Sequence, residues 1–233
     1  MKRIFLYTLL TVLTSTLTPA ARAQNDVPRY ELGAQFSLLF RNRPTSQFDF
    51  FFEDRTVNEY GGGGRFTYNL TNALALEAEA NFFPGRNEFP EISQGHFLQA
   101  QFGVKAGKRF KKFGIFGKAR PGFVTFSKVS KLTGFRREII PFRGVVPIDV
   151  PEFRIGNASY LSADLGGVVE FYPSRRVVAR FDIGDTIIRY GATEEFAPSV
   201  CPLSAPVCPI EIFARPEETR HSLQISAGVS FRF

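Results

Sequence analysis

Two histidines, two cysteines and a run of four glycines are the residues of this 233-residue chain whose types invite a chemical reading. His221 stands beside Ser222, and a hydrolase needs a nucleophile, a base within hydrogen-bond reach and a group to orient that base. Both residues lie in a segment that alternates apolar and polar positions, so consecutive side chains point to opposite faces and the two cannot pair. No catalytic residue is assigned, and His96 and His221 are read as polar residues near a rim. With 2 Cys and 2 His in all, a multi-ligand metal centre lacks its ligand set, and neither a metal nor a cofactor is expected. Gly61-Gly62-Gly63-Gly64 is not followed by the Lys-Ser/Thr pair and helix of a phosphate-cradling loop. Inside a strand these glycines permit sharp curvature or leave room for neighbouring side chains. Cys201 and Cys208 are expected to close a local disulfide if the chain is exported, worth on the order of 2–3 kcal/mol for so short a loop.

Export is what the start of the chain predicts. Lys2-Arg3, an apolar stretch from Ile4 to Leu17, and Ala21-Arg22-Ala23 before Gln24 form the pattern of a secretory signal cleaved after Ala23. The stretch falls short of the ~20 residues a spanning helix needs. Losing Lys2, Arg3 and Arg22 takes the basic count from 29 to 26 against 22 acids, and the net charge from +7 to +4. That is too mild for nucleic-acid binding, which export also removes.

The elements are strands. From His221 to Phe233, Leu223, Ile225, Ala227, Val229, Phe231 and Phe233 share one face, while Ser222, Gln224, Ser226, Gly228, Ser230 and Arg232 share the other. Strict alternation over this length marks a strand with a different environment on each face. The same rule predicts strands near 30–40, 57–70, 73–83, 96–107, 113–126, 158–172, 176–190 and 220–233. The pattern blurs after Asp185, where a bulge or a strand end is expected. Connections at Thr71-Asn72, Lys108 to Lys112 and Pro173-Ser174-Arg175 are short. Those near 41–56, 84–95, 127–157 and 191–219 are long. Eight strands with tight turns at one end predict an all-β, single antiparallel eight-stranded up-and-down transmembrane barrel over residues 24–233.

A soluble lipocalin-like barrel would carry its apolar face inside; a membrane barrel inverts it. Inversion is favoured by matched charge on the polar face. Glu31, Glu77, Glu79, Asp164, Glu170 and Asp182 stand against Arg65, Lys105, Lys118, Arg120, Arg180 and Arg232, and a closed low-dielectric interior needs such matching. These residues are read as interior ion pairs. Centring the second hairpin on Thr71 sets Arg65 across from Glu77, and Glu31 is expected to meet Arg232 where the barrel closes. Gly, Ser, Thr and Gln on the same face leave room for the long side chains. The 27 Phe and 7 Tyr, with no Trp, recur near strand ends, as interfacial girdles require.

A cleaved signal, eight amphipathic strands, tight turns at one end and a terminal aromatic resemble the small outer-membrane β-barrel superfamily of OmpA and OmpX type. The ending Val229-Ser230-Phe231-Arg232-Phe233 looks like that group's C-terminal assembly signal. The resemblance implies export through the Sec pathway, a place in the bacterial outer membrane, and contact with the barrel-assembly machinery, outer-membrane lipid and lipopolysaccharide. No peptidoglycan-binding domain follows, so a cell-wall tether is not implied. Lipid A deacylases of similar size carry His and Ser two apart on one face; here the residues two beyond His96 and His221 are Leu98 and Leu223.

Function is therefore expected in what the barrel displays. The segment from Lys128 to Gly156 carries Lys131, Arg136, Arg137, Arg143 and Arg154 against Glu138, Asp149 and Glu152, with Phe135, Ile139, Ile140, Phe142, Val145 and Val146. It reads as a solvated basic loop that could meet acidic groups, or as strands continuing past the membrane. The expected protein is a monomeric, non-enzymatic outer-membrane barrel with a structural or surface-interaction role, its lumen plugged by side chains and four long loops open to a surface ligand. A narrow, porin-like channel, a lipid-modifying enzyme and a soluble periplasmic binder are the alternatives.

Overall fold

The computed structural model describes residues 28–42, 56–85, 95–141, 145–198 and 210–233. The signal segment with Ala21, Ala23 and Gln24, and the pair Cys201 and Cys208, lie outside the described residues. Among the described residues ten strands are present: β1 Tyr30–Asn42, β2 Thr56–Asn69, β3 Leu74–Phe83, β4 Phe97–Arg109, β5 Phe113–Pro141, β6 Val145–Phe171, β7 Val177–Tyr190, β8 Thr193–Pro198, β9 Ile210–Arg215 and β10 Glu218–Arg232. Eight of them close an antiparallel barrel in the order β1-β10-β7-β6-β5-β4-β3-β2, each strand beside its chain neighbour in the wall. The fold class is the one read from the alternation. β8 and β9 form a separate hairpin inside the long connection of 191–219, an element the sequence reading did not contain.

Alternation explains which face is which. Leu32, Phe36, Phe102, Leu161 and Val229 stand 56–68% exposed on the outside, while Arg120, Asp164 and Glu170 are fully buried inside. This is the reverse of a soluble barrel, so the lipocalin-like arrangement does not hold. The wall strands are 10 to 15 residues long where they share the barrel, enough to cross a hydrocarbon layer at the usual tilt.

Three expectations about register and length are corrected. The turn between β2 and β3 spans Leu70 to Ala73, wider than Thr71-Asn72 alone. Thr71 Oγ1 accepts from the amides of Ala73 and Leu74 at 3.1 and 3.0 Å, a side-chain-closed turn that takes up two more residues. The ladder shifts accordingly: Arg65 pairs with Glu79, and Thr67 with Glu77. A two-residue shift keeps every side chain on its face but changes its partner. Secondly, β7 runs without a bulge to Tyr190 against β10 and to Arg189 against β6. The pattern blurs there because Asp185 faces outward, while Ile188 and Tyr190 are buried in the lumen.

The third correction concerns the stretch 127–157, which is a two-stranded ribbon over most of its length. β4 pairs with β5 as far as Phe126, and β7 pairs with β6 as far as Leu161. Beyond, β5 and β6 pair with each other from Val129↔Gly156 to Pro141↔Val145. A register shift between Phe126 and Val129 marks the exit from the wall, and Lys128 there adopts a left-handed φ of 56°, as a bulged strand requires. At about 3.3 Å per residue the ribbon reaches roughly 40 Å past the barrel rim.

Candidate functional site in the barrel lumen

Period-two alternation sends one residue in two of eight strands into a single narrow cylinder, and the side chains that arrive there sort into three layers. Among the described residues the buried set includes seven acids (Glu31, Glu59, Glu77, Glu79, Asp164, Glu170, Asp182) and seven bases (Arg41, Arg65, Lys105, Lys118, Arg120, Arg180, Arg232). Equal numbers matter, because an unpaired buried charge costs several kcal/mol.

The charged layer fills the half of the lumen nearer the short turns. Glu77 is its hub. It accepts from Arg180, with Nη2 2.9 Å from Oε2, and has Lys105 Nζ at 3.5 Å and Arg120 Nη1 at 3.6 Å. Arg180 also grips Asp182 through Nε at 2.8 Å and Nη2 at 2.7 Å. Arg120 donates to Asp164 through Nε at 3.0 Å and Nη2 at 2.5 Å, and to Glu79. Lys118 joins Asp164 to Asp182, at 2.8 and 3.5 Å, and Lys105 binds Glu170. Arg65 does not reach Glu77 as a pair partner: it lies 3.4 Å from Asp182 and 3.9 Å from Glu79, and donates to Gln35 at 2.7 Å.

At the floor, Arg232 Nε lies 2.9 Å from Glu31 Oε1 across the closing seam, where Glu31 and Arg232 are register partners. Arg109 approaches Glu31 at 3.7 Å and Glu170 at 3.6 Å. Tyr172, in the turn after β6, accepts from Arg109 and donates to Glu170 at 2.9 Å. Burial and the Glu170 carboxylate push its phenol up to about 12.

Above the charges lies a neutral layer. Gln35 donates to Asn81 at 2.8 Å, Asn81 to Gln99 at 3.1 Å, and Gln99 to Gln224 at 2.9 Å. Thr186 reaches the same Gln224 oxygen at 2.7 Å, and Ser37 meets Ser226 at 2.8 Å. The long-loop mouth is then closed by an apolar cap of Leu39, Phe83, Phe97, Val124, Ile188 and Tyr190, flanked by Phe126 and Tyr160. Phe83 and Phe97 stack at 4.3 Å. Arg41 lies 5.2 Å over Phe126 and bonds Glu59 at 2.8 Å.

Two lumen features are marked in the sequence only by their place in the alternation, not by residue type. Inward Leu39, Phe83, Phe97, Val124 and Ile188 are of the same types as the outward residues. Arg41 fell within a stretch read as loop, so its pairing with Glu59 was not anticipated. The glycine run belongs to β2, with Gly61 and Gly63 turned inward. A Cβ on Gly63 would lie 2.2 Å from Asn81 Oδ1, whereas one on outward Gly62 meets nothing closer than 3.7 Å.

His221 and Ser222 occupy opposite faces. His221 is outside, its Nδ1 2.5 Å from Asp185 Oδ2; Ser222 is 1% exposed within the lumen. Asp185 on β7 is a partner of His221 that sequence reasoning missed, and its other oxygen accepts the Ser222 amide at 3.1 Å. His96 packs against the Phe82 ring at 5.3 Å. The outward Val229 and Phe231 are 57% and 49% exposed, and Phe233 packs on Tyr30 at 5.9 Å. Among the described residues the lumen thus holds a connected network of charged and amide side chains below a cluster of apolar ones.

No protein-family model and no curated protein matches the sequence. Among solved structures the chain is similar to Neisserial surface protein A, at 12% identity and a TM-score of 0.47 over 88% of this chain and 97% of that one. It is similar also to the attachment invasion locus protein Ail of Yersinia pestis in complex with the heparin analogue sucrose octasulfate, at 11% and 0.44 over 88% and 97%. The N-terminal β-barrel domain of Pseudomonas aeruginosa OprF follows at 11% and 0.42, over 90% and 100%.

Proposed function

We propose that this chain is an integral outer-membrane barrel whose role is structural and surface-directed, with the β5–β6 ribbon as its contact element. The observation that carries the reading is the division of labour in one molecule. The wall is apolar outside, the lumen is packed with matched charge under an aromatic cap, and the ribbon projects past the end opposite the short turns. A plugged lumen leaves little for transport, and the His221–Ser222 arrangement leaves no nucleophile beside its base. The reading carries with it export by the Sec pathway, signal cleavage after Ala23, a Cys201–Cys208 disulfide in the last long connection, an assembly signal at Val229, Phe231 and Phe233, contact with lipopolysaccharide and the assembly machinery, and a monomeric barrel.

Fractionation of expressing cells, with boiled and unboiled gels of the envelope, tests the membrane placement: recovery in the outer membrane with a heat-dependent mobility shift is expected. A soluble protein with no shift would overturn it. Purified barrel in planar bilayers should be electrically silent; steady single-channel steps would return the channel reading.

A further inference from the structure

The short-turn end carries a charge imbalance that the lumen does not share. Arg29, Lys108, Lys111, Lys112, Arg175 and Arg176 are all exposed there. The acids nearest them, Glu31 and Glu170, are buried inside the lumen at 2% and 0% exposure and engaged with Arg232 and Lys105. Among the described residues, no exposed acidic side chain lies at this end. At the other end exposed acids accompany the cations: Arg189 pairs with Glu217 at 2.5 Å and Arg136 with Glu152 at 3.8 Å, and half-buried Arg220 with Glu218 at 2.6 Å, beside exposed Lys128 and Arg154.

Main-chain bonds and rings fix where these cations sit. The Tyr172 amide donates to the Lys112 carbonyl at 2.9 Å and the Arg232 amide to the Arg176 carbonyl at 2.8 Å. The first bond holds the β4–β5 and β6–β7 turns side by side, and the second ties the Arg175–Arg176 end of the latter to β10, so the cations are strung along neighbouring turns of the same rim. Just inside them lies an outward band of rings. Phe110 stacks on Phe113 at 4.6 Å, Tyr30 packs on Tyr68 at 5.3 Å, and Lys108 Nζ lies 5.4 Å over Phe110. Rings of this kind rest at headgroup depth, and flexible cations within a few residues of them reach the phosphates. The turns are too short to carry the charge away from the bilayer.

We propose that this basic collar binds the phosphodiester headgroups of anionic phospholipids in the leaflet facing the short turns, an inference that rests on the transmembrane reading above. A zwitterionic lipid brings an ammonium group that opposes the collar, whereas phosphatidylglycerol presents an uncompensated phosphate. Each cation near an anionic lipid surface is worth roughly five-fold in affinity.

Native mass spectrometry of the whole mature barrel, titrated in neutral detergent with phosphatidylglycerol or phosphatidylcholine of identical chains, tests it. Phosphatidylglycerol should be retained at least about ten-fold better. K111Q/K112Q and R175Q/R176Q should each abolish most of that preference, and K111R/K112R should keep it. Equal retention by wild type and both Gln variants overturns the collar. So does competition by glycerol 3-phosphate or soluble polyglutamate as effective as the lipid, which would mark a bare phosphate site or an acidic-polymer site. Heat-dependent gel mobility of the same samples separates the two readings: loss of the shift in wild type defeats the transmembrane barrel, whereas an intact shift without lipid preference defeats the collar alone.

Discussion

Glu77 on β3 and Arg180 on β7 face each other across the lumen, Nη2 to Oε2 at 2.9 Å, although their strands share no ladder. The contact ties opposite walls of the barrel together, and both side chains are buried at 1% exposure. Removing one partner leaves a buried charge uncompensated, which costs about 3–5 kcal/mol. Glu77→Ala should therefore lower unfolding stability by that order in urea titrations of the barrel in vesicles. Glu77→Met with Arg180→Met should recover part of the loss, whereas neutralising Arg65 alongside Glu77 should be closer to additive, because Arg65 leans on Asp182 and Glu79. A coupling to Arg65 as large as that to Arg180 would contradict the register.

The glycines of β2 offer a paired test. Gly63→Ala would set a Cβ 2.1 Å from the Ala80 carbonyl and 2.2 Å from Asn81 Oδ1, while Gly62→Ala, one residue away, makes only an ordinary 3.7 Å contact with the Gln35 carbonyl. Overpacking of this kind costs about 1–3 kcal/mol, so Gly63→Ala should destabilise by that order. Gly62→Ala should be neutral or gain about 0.4–1 kcal/mol from reduced unfolded-chain entropy. Equal effects at both positions would mean that neither glycine is there for room.

How much of this was legible in the sequence depends on the physics behind each feature. Strand number and the inward face follow from period two, because a single residue's slip would expose a whole charged set to lipid; Glu31 opposite Arg232 sits at the seam that this counting locates. The partner of Arg65 was not legible, since the register hangs on Thr71 closing a four-residue turn with its hydroxyl. The cap was not read either: Phe83 and Phe97 are of the same type as outward Phe82 and Phe102, and only their place in the alternation, on the face of Asn81 and Gln99, turns them inward. The ribbon was half legible, its strand-forming residues visible in a segment whose basic charge also fits a loop.

The cap predicts its own electrical signature. Phe83 and Phe97 stack at 4.3 Å at the centre of the apolar cluster, above a neutral layer that water can hydrate once it enters. Phe83→Ala with Phe97→Ala should open the long-loop mouth and admit ions to the charged layer. In planar bilayers the wild type should stay silent, and the double variant should show brief, flickering openings limited by the Glu77–Arg180 contact beneath. Silence in the double variant, with its fold intact by gel mobility, would place the whole seal in the charged layer.

The ribbon should be separable from the barrel that bears it. Past Phe126 and Leu161, β5 and β6 exchange ladder bonds with each other and with no other described strand. Pro147 and Pro151 stand opposite Ile139 and Phe135. A proline has no N–H to give, so both must occupy pairs whose main-chain groups point away from the partner strand. Half of the outward donors on that stretch of β6 are thus missing, as edges that resist strand addition require. The facing edge of β5 keeps its donors at Phe135, Arg137 and Ile139. Replacing 129–156 by a two-residue Asn-Gly turn should leave the mobility shift and the unfolding midpoint unchanged, because no ladder pair with another described barrel strand is removed. In the intact protein, Ile139→Pro should weaken any strand-pairing surface partner, while Asp149→Pro, on the edge already blocked, should not. Pull-down of envelope-exposed protein by whole cells, read side by side for the two proline variants, measures the difference; equal losses would assign recognition to the ribbon's faces instead of its β5 edge.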